Sequence, residues 1–496
     1  MEYRSTRGNK KQTLTSAAAV LQGLAPDGGL YVPVKFPHPE FKLEQLTELS
    51  YQQAAKLILQ WFFDDFSDNQ ITASVTAAYR DQFDQTQIVP VTENKAGNDY
   101  MELFHGPTLA FKDLALQLLP QLMTKAVKIQ QVNNQIMILT ATSGDTGTAS
   151  MRGFSDVAGT QVIVFYPEGG VSPVQLKQML SQPGNNLKVV AVKGNFDQAQ
   201  SMVKQIFNDQ SFNQQLHEQG TQFSSANSMN IGRLIPQVAY YFYTYAQLVK
   251  RGEITNGTTI NFAVPTGNFG DILAGYYAKK LGLPINKLIC ASNQNNVLTD
   301  FFKTGIYDRN RPFYLTNSPS MDILVSSNLE RLLFMIADED ENTVIDLMDQ
   351  LKRNGKYQIT TAMKAKLNDF IGGSADEMQI KQEIKRVFGE SKYAIDPHTA
   401  VASSVVHQYQ QKTGDKTPTV IVSTASPYKF PETVFEAITG KQVKQPGLPA
   451  VQQLNELLQD KLPVGIQELF TTKSRQEVVI ETSEMRNLIK SVNDHG

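Results

Sequence analysis

QIMILTATSGDTG, residues 135–147, is the stretch that decides the fold. Its first half is a run of apolar residues bounded by polar ones, which is typical of a buried strand. Its second half places Ser, Gly, Asp and Thr at a turn, and a helical segment follows. Because a strand that leads through a polar turn into a helix is half of a β-α-β unit, the stretch predicts an α/β fold with a parallel sheet.

The same alternation of strands and helices continues along the chain. Five further strand-like runs are TQVIVFYP (160–167), NLKVVAVKG (186–194), TTINFAVPTG (258–267), NKLICAS (286–292) and TPTVIVSTAS (417–426). Helical patterns between or after them include SPVQLKQMLS (172–181), RLIPQVAYYFYTYAQLVKRG (233–252) and PETVFEAITG (431–440). We therefore expect two open parallel-sheet α/β domains.

The pattern is less regular at both ends of the chain and in one internal region. LEQLTELSYQQAAKLILQWFF (43–63) predicts one helix. The expected segments are an N-terminal extension over 1–95, a first α/β domain over 96–255 that carries Lys112, a second α/β domain over 256–440 with an insertion near 300–395, and a helical C-terminal tail over 441–496.

The composition argues against several classes of function. The chain has 496 residues, 19% of them charged, and a formal net charge of -2, which suits a soluble globular protein. No long Lys and Arg run indicates a nucleic-acid or anionic membrane surface. The six histidines and single cysteine show no metal-ligand spacing, so no metal site is expected.

The single cysteine and the N-terminus bear on the cellular compartment. Cys290 lies in the apolar run KLICAS, which predicts a buried, inert thiol and excludes an intramolecular disulfide. The N-terminus lacks an apolar signal core, and no run is long enough to span a membrane. We therefore expect a cytoplasmic protein.

HGPTLAFKD, residues 105–113, places a lysine where a chemical role is plausible. Lys112 follows a Gly-Pro-Thr turn and two apolar residues, at the start of an apolar helical pattern. An amine in an apolar pocket has a lowered pKa, which suits it to act as nucleophile and proton carrier. The motif therefore predicts a lysine held in a pocket for covalent chemistry.

Three strand ends are polar, and in open parallel sheets ligands gather at the carboxyl ends of strands. SGDTG (143–147) offers hydroxyls and a helix N-terminus to an anion. In PTGNFGD (265–271), two glycines let the backbone approach a phosphate. Ser423 and Thr424 end the last strand with hydroxyls. Each motif alone also fits an ordinary capped turn or strand end.

Together with Lys112, these strand ends match the needs of pyridoxal phosphate. Its aldehyde requires a lysine, its phosphate a glycine loop, its phenolic oxygen a polar partner and its ring nitrogen a hydrogen bond. A nicotinamide cofactor is disfavoured, because the GxGxxG fingerprint and its acidic partner are missing from the sequence.

At this point the chain resembles the threonine synthase family, in the fold-type II (tryptophan synthase β-like) group of pyridoxal-phosphate enzymes. The resemblance rests on nine motifs in the family's order, namely YRSTRG, GLAPDGGLYVP, HGPTLAFKD, ATSGDTG, SANSMNIGRLIPQ, PTGNFGD, LTDFFKTGIYD, DPHTAVA and VSTASPYKF. It implies a fold with the cofactor between two α/β domains. The extension over 1–95 points to the longer class of the family, which implies a monomer.

The resemblance also implies roles for individual residues. Lys112 would bond covalently to the cofactor, and the other residues expected to bind it are Phe111, Asp145, Gly267, Asn268, Phe269, Gly270, Ser423 and Thr424. Of the two hydroxyl residues, Thr424 is expected at the ring nitrogen, with Ser423 second. Many relatives carry Asn at the Asp145 position, facing the ring oxygen. A carboxylate there would repel a phenolate unless a proton is shared, so the contact of Asp145 stays open.

The substrate site is expected to include seven residues, which are Thr108, Ser143, Thr146, Asn227, Ser228, Asn230 and Arg233. Ser143 and Thr146 would bind the substrate carboxylate. The amides, hydroxyl and guanidinium of SANSMNIGR suit a phosphate dianion, although a helix N-cap plus a surface arginine is the ordinary alternative.

The implied reaction converts O-phospho-L-homoserine and water to L-threonine and phosphate, the last step of threonine biosynthesis. Such an enzyme is a carbon-oxygen lyase that acts on phosphates. The main alternative is a threonine/serine dehydratase-like or phospho-lyase enzyme with the same cofactor. A binding protein that kept the fold is a further alternative, and the full set of cofactor residues argues against it.

Overall fold

Two mainly parallel sheets covered by helices form the frame of the structure, which confirms the predicted α/β class. The structure is a computed structural model and describes residues 1–8, 12–194 and 196–495. None of the helices in these ranges is long and apolar enough to cross a membrane.

The N-terminal region combines a small antiparallel sheet with helices. Its elements are β1 (Glu2–Ser5), β2 (Leu14–Thr15), α1 (Ser16–Gln22), β3 (Tyr31–Pro33), α2 (Leu43–Leu46), α3 (Tyr51–Phe62) and α4 (Asp68–Ala78). The prediction of one helix over 43–63 is wrong, because Ser50 begins a new helix. Its hydroxyl accepts a hydrogen bond from the backbone N–H of Gln53, whose side chain caps the Ser50 N–H in return.

The next part of the chain contains most of the predicted β-α alternation. Its elements are β4 (Val91–Lys95), β5 (Asn98–Glu102), α5 (Lys112–Leu116), α6 (Leu119–Ile129), β6 (Gln135–Ala141), α7 (Asp145–Phe154), β7 (Thr160–Pro167), α8 (Pro173–Ser181), β8 (Leu187–Lys193), α9 (Phe196–Asn208), α10 (Gln210–Glu218), β9 (Thr221–Ser225) and α11 (Ile231–Lys250).

The remainder of the chain completes the second sheet and ends in a mostly helical segment. Its elements are β10 (Ile260–Pro265), α12 (Gly270–Lys280), β11 (Ile285–Ser292), α13 (Val297–Thr304), β12 (Ile306–Asp308), α14 (Leu329–Ile336), α15 (Glu341–Asn354), β13 (Lys356–Gln358), α16 (Thr361–Ala365), β14 (Phe370–Ser374), α17 (Glu377–Ser391), α18 (Pro397–Thr413), β15 (Thr419–Ser423), α19 (Pro431–Thr439), α20 (Leu448–Leu458), α21 (Val464–Thr471), β16 (Val479–Glu481) and α22 (Met485–His495). Short 3₁₀ helices span Pro319–Met321, Pro427–Lys429 and Thr482–Glu484.

Strand pairing crosses the limits expected for the four segments. The five-stranded sheet has the order β16-β8-β7-β6-β9, so a strand from the C-terminal segment joins strands from the first predicted domain. The six-stranded sheet has the order β14-β11-β10-β15-β5-β4. Strand β4 from the predicted extension and β5 from the first predicted domain therefore join strands of the second predicted domain. β14 also belongs to it, although it falls in the predicted insertion. The segment limits themselves stay a prediction.

Helix α11 is the central helix of the molecule. Seventeen of its side chains are buried, because its sequence is apolar or aromatic on nearly every side. It packs against α3, α5 and α12, so the N-terminal region and both sheets share one core. The first turn of α11 carries Arg233, and this packing fixes the position of that side chain.

The segment that leads to Lys112 is held against the end of β15. The Phe111 N–H donates to the Thr424 carbonyl over 2.8 Å, and the Leu103 N–H donates to the Ser423 carbonyl over 2.9 Å. Helix α5 begins directly afterwards at Lys112. This pairing brings the lysine to the strand end that carries Thr424.

Gly153 allows α7 to lie directly against α5. A Cβ atom at this position would overlap the backbone carbonyl of Leu116, the last residue of α5. We expect Gly153→Ala to lower the free energy of unfolding by about 1–3 kcal/mol, because backbone atoms must move apart. The measurement is chemical denaturation of the full-length protein.

The matched control for Gly153 is Gly389→Ala. Gly389 lies on the exposed side of α17, and a Cβ atom there meets nothing within 4 Å. Alanine should therefore raise the free energy of unfolding by about 0.5–1 kcal/mol, because it is the better helix former. Equal effects of the two substitutions would contradict the close α5–α7 contact.

His105 lies between two carboxylates, and this arrangement predicts a pH dependence of stability. Nδ1 is 2.7 Å from Asp84 Oδ1, and Nε2 is 2.6 Å from Glu102 Oε2. Burial lowers the pKa of His105, but the two hydrogen bonds outweigh burial and raise it to about 9 from an ordinary 6.5. The folded protein therefore holds a proton that the unfolded chain releases between these values.

Stability should consequently fall as the pH rises from 6.5 to 9, and His105→Gln should remove this slope. The contribution of the proton is on the order of a few kcal/mol below pH 6.5, since one pKa unit corresponds to about 1.4 kcal/mol. Denaturation curves of both proteins across this pH range measure it. Parallel pH profiles of the two proteins would show that His105 is not protonated in the fold.

Candidate active site

A cavity between the two sheets gathers polar residues from strand ends and helix starts. Its lining includes thirteen of the residues predicted from the sequence, which are Phe111, Lys112, Ser143, Asp145, Thr146, Asn227, Ser228, Arg233, Gly267, Asn268, Phe269, Gly270 and Thr424. β6, β9, β10 and β15 each end beside it. Such convergence at the carboxyl ends of strands is typical of a ligand site in parallel sheets.

Three predicted site residues do not line this cavity, because their side chains are held locally. The Thr108 hydroxyl donates to Asp113 Oδ1 over 2.7 Å. Asn230 caps α11, accepting from the Gly232 N–H over 2.8 Å. The Ser423 hydroxyl lies 3.1 Å from the Thr399 hydroxyl, behind the strand end. Of the two hydroxyl residues considered for a ring nitrogen, only Thr424 lines the cavity.

Lys112 is buried, with 9% of the residue exposed, and its amine faces the cavity. Its Nζ donates to Asp145 Oδ2 over 3.1 Å and to the Ser320 hydroxyl over 3.3 Å. It also lies 4.9 Å from the centre of the Phe111 ring. Burial lowers the pKa of Lys112, and the attraction of Asp145 only partly opposes this effect. A buried amine with a lowered pKa is suited to nucleophilic and proton-transfer chemistry.

Asp145 accepts hydrogen bonds from four donors. Oδ2 accepts from Lys112 and, over 3.0 Å, from the Ser320 hydroxyl. Oδ1 lies 2.9 Å from Lys429 Nζ and accepts from Gln175 Nε2 over 2.8 Å. Burial raises the pKa of Asp145, but the two lysines outweigh burial and hold the pKa well below its usual range. Asp145 is therefore an ionised carboxylate in this structure.

The loop between β10 and α12 has the form of an anion cradle. Phe269 adopts a left-handed backbone with φ 63°, and α12 begins at Gly270. The Ser326 hydroxyl donates to the Gly267 carbonyl over 2.7 Å, and Asn328 Nδ2 donates to the Asn268 carbonyl over 2.9 Å. These bonds fix the loop so that a helix N-terminus faces the cavity, an arrangement that favours a phosphate.

Glycine is required at the first position of this loop. A Cβ atom at Gly267 would lie 2.5 Å from the Ser320 carbonyl oxygen. Any larger residue would push the loop away from Ser320, which contacts both Lys112 and Asp145. Gly267 therefore allows the cradle to lie directly against Ser320, which lies at the lysine end of the cavity.

Arg233 is a buried cation without a carboxylate partner among the described residues. It is 2% exposed, and Nη1 donates to the Ala226 carbonyl over 3.0 Å. Its Nε and the nearby Asn227 Oδ1 are buried and have no hydrogen-bond partner. Burial lowers the pKa of Arg233 to about 10, so the guanidinium stays charged at neutral pH. A buried, unpaired guanidinium that lines a cavity is suited to bind an anion.

The structure adds site residues that sequence reasoning missed. They are Gln175, Ser320, His398 and Lys429. His398 Nε2 accepts the Ser320 N–H over 3.2 Å, and Nδ1 lies 2.7 Å from Asp396 Oδ1. Asp396 is the N-cap of α18, accepting from the backbone N–H groups of His398 and Thr399. Lys429 belongs to the quoted motif VSTASPYKF, and a lysine in such an apolar stretch was the available signal.

The residues present fit pyridoxal phosphate. Lys112 offers a buried amine for the aldehyde, the 267–270 loop offers a glycine-rich cradle for the phosphate, and Thr424 offers a hydroxyl for the ring nitrogen. All three lie on one cavity, as a single bound molecule requires.

Comparisons with known families agree with this donor set. Three family profiles match the chain, described as "Threonine synthase N terminus" over residues 2–79, "Pyridoxal-phosphate dependent enzyme" over 100–425 and "Threonine synthase, C-terminal" over 399–489. Together they extend over most of the sequence.

Two kinds of relative are similar to the chain. "Threonine synthase" of Saccharomyces cerevisiae is 37% identical over 470 residues, covering 88% of this chain and 89% of the yeast protein. "Threonine synthase-like 1" of Homo sapiens is 42% identical over 439 residues, covering 86% of this chain. The chain spans 58% of the length of this human relative.

Solved structures of threonine synthases have the same fold. The yeast enzyme matches with a TM-score of 0.87 and 34% identity, covering 100% of this chain and 99% of the other. The "PLP bound" enzyme from Brucella melitensis matches with a TM-score of 0.85 and 35% identity, at the same coverage. The chain therefore belongs to the threonine synthase family of pyridoxal-phosphate-dependent enzymes.

Proposed function

We propose that this protein is a threonine synthase that converts O-phospho-L-homoserine and water to L-threonine and phosphate. The observation that carries the proposal is Arg233, a buried guanidinium with no carboxylate partner among the described residues, on the cavity of Lys112. A substrate with a phosphate group supplies the missing anion. The cradle at 267–270 would hold the phosphate of the cofactor.

The cofactor and Lys112 would have different roles in the reaction. Pyridoxal phosphate, when bound, supplies an electron sink for the charge left at the substrate α-carbon. Lys112 would hold the aldehyde in the resting enzyme and, once released by the substrate amine, would accept the α-proton at Nζ. Burial lowers the pKa of this amine, which increases the fraction of free amine that can accept a proton.

The substrate would be oriented by two groups of residues. Arg233, Asn227 and Ser228 would bind its phosphate, since a guanidinium, an amide and a hydroxyl converge there. Ser143 and Thr146 would bind its carboxylate at the start of α7. The substrate would then lie between the phosphate-binding residues and Lys112, with its α- and β-carbons toward the amine.

We also infer that the protein works in the cytoplasm as a monomer. Cys290 is fully buried, and burial raises the pKa of its thiol to about 12, which suits an unreactive cysteine in a reducing compartment. The monomeric state is inferred from the resemblance to the longer class of the family.

The product formed from O-phospho-L-homoserine tests the proposal. The purified, cofactor-loaded protein should release L-threonine and phosphate in equal amounts. Lys112→Ala is the control, and it should lose nearly all turnover because a positioned proton carrier contributes roughly 10²–10⁴-fold. Release of 2-oxobutyrate instead of threonine would identify a phospho-lyase or dehydratase and refute the proposal.

Arg233→Ala should weaken the binding of the phosphorylated substrate. Loss of one partner of a buried charge pair costs about 2–5 kcal/mol, so we expect KM to rise at least roughly 30-fold. Cofactor affinity, followed by absorbance, should change much less. Arg251→Ala at the other end of α11 is the matched control, because Arg251 donates to the Val91 carbonyl far from the cavity. An unchanged KM would remove Arg233 from the substrate site.

A further inference from the structure

Lys429 is a second buried lysine on the carboxylate that contacts Lys112. It is fully buried, and it lies in the 3₁₀ helix that follows β15. Its Nζ donates to the Thr108 carbonyl over 2.7 Å and to Gln178 Oε1 over 3.1 Å, and it lies 2.9 Å from Asp145 Oδ1. An ammonium group has three N–H donors, so these three acceptors satisfy it completely. These contacts hold the Lys429 amine in place beside Asp145.

The Asp145 carboxylate is divided between the two lysines. Oδ1 faces Lys429, and Oδ2 faces Lys112. Each amine therefore contacts one oxygen of a single negative charge. Lys112 has fewer acceptors than Lys429, since its partners are Asp145 and the Ser320 hydroxyl. The two lysines thus share one carboxylate but differ in their other acceptors.

We propose that Lys429 is a positioning residue that shares the Asp145 carboxylate and thereby keeps the Lys112 amine free to act as a nucleophile. This inference rests on the proposed role of Lys112. The amine must be unprotonated when its nitrogen adds to the cofactor aldehyde, a step that forms one carbon–nitrogen double bond and releases one water molecule. A cation near a lysine disfavours a proton on it, which is a known way to activate such an amine.

Other charged and titratable groups also lie near the Lys112 amine. Arg233, from α11, also disfavours a proton on Lys112. His398 lies on the same cavity, and its Nε2 accepts the backbone N–H of Ser320. Asp271, from α12, accepts hydrogen bonds at Oδ1 from the hydroxyls of Tyr240 and Tyr241, and it has no hydrogen bond to Lys112. Asp145 is therefore the carboxylate in direct contact with the amine.

Lys429→Met tests this role, because methionine keeps most of the side-chain length without the charge. The full-length protein is freed of cofactor, and the pH dependence of Lys112 acetylation by acetic anhydride is followed by mass spectrometry. We expect the pKa of Lys112 to rise by about one unit or more, because Asp145 then pairs with Lys112 alone. Covalent capture of added pyridoxal phosphate at neutral pH should slow about tenfold, since each pKa unit is a tenfold change in free amine.

Lys177→Met is the matched control. Lys177 lies on α8 and donates to the Thr472 carbonyl over 2.7 Å, away from the cavity. This substitution should leave Lys112 acetylation and cofactor capture unchanged. Circular dichroism and thermal melting establish that each variant is folded. A Lys112 pKa in folded Lys429→Met that equals or lies below that of the unsubstituted protein would overturn the proposal.

A second pair of variants covers the case in which Lys429→Met does not fold because Asp145 loses one of its two cations. Asp145→Asn leaves the Lys429 charge near Lys112, whereas Asp145→Asn with Lys429→Met removes both charges of the pair. The pKa of Lys112 should be higher in the double variant by about one unit or more. Equal values would overturn the proposal. Acetylation does not depend on turnover, so these results stay interpretable whichever substrate the enzyme uses.

Discussion

The ionised carboxylate of Asp145 is the interaction on which the arrangement of the cavity depends. A buried carboxylate is costly unless it is paired and hydrogen-bonded. Here Lys112, Lys429, Gln175 and Ser320 all donate to it. The donors come from four separate segments of the chain, so one charge holds together parts of the site that are remote in sequence. These contacts compensate the negative charge of Asp145 before any ligand binds. Its contact with the ring oxygen of the cofactor stays a prediction.

The two ends of the cavity differ in how their buried charges are compensated. At the lysine end, the Asp145 carboxylate lies between the amines of Lys112 and Lys429. At the other end, the guanidinium of Arg233 has no carboxylate in direct contact among the described residues. An uncompensated buried cation lowers stability, and a bound anion relieves this cost. The charge of Asp145 is thus compensated at the lysine end of the cavity, whereas the charge of Arg233 is left for a bound anion.

Much of the fold was predictable, because buried strands of a parallel sheet are continuous apolar runs that stand out in the sequence. The pairing of β4, β5 and β16 was not predictable, since nothing within a short strand specifies its neighbour. The site followed the same division. Lys112 and the 267–270 loop carry local signals, whereas Gln175, Ser320 and Lys429 reach Asp145 only through long-range packing. Thr108, Asn230 and Ser423 lie within informative motifs, but local hydrogen bonds direct their side chains elsewhere.

The pairing of β16 with β8 has a consequence for self-association. β8 has seven residues, and the backbone N–H and C=O groups along its edge would otherwise be open to strands of other chains. β16 pairs with the last three residues of β8 and, at three residues itself, is too short to template further pairing. The C-terminal segment therefore protects the protein against aggregation as well as completing its five-stranded sheet.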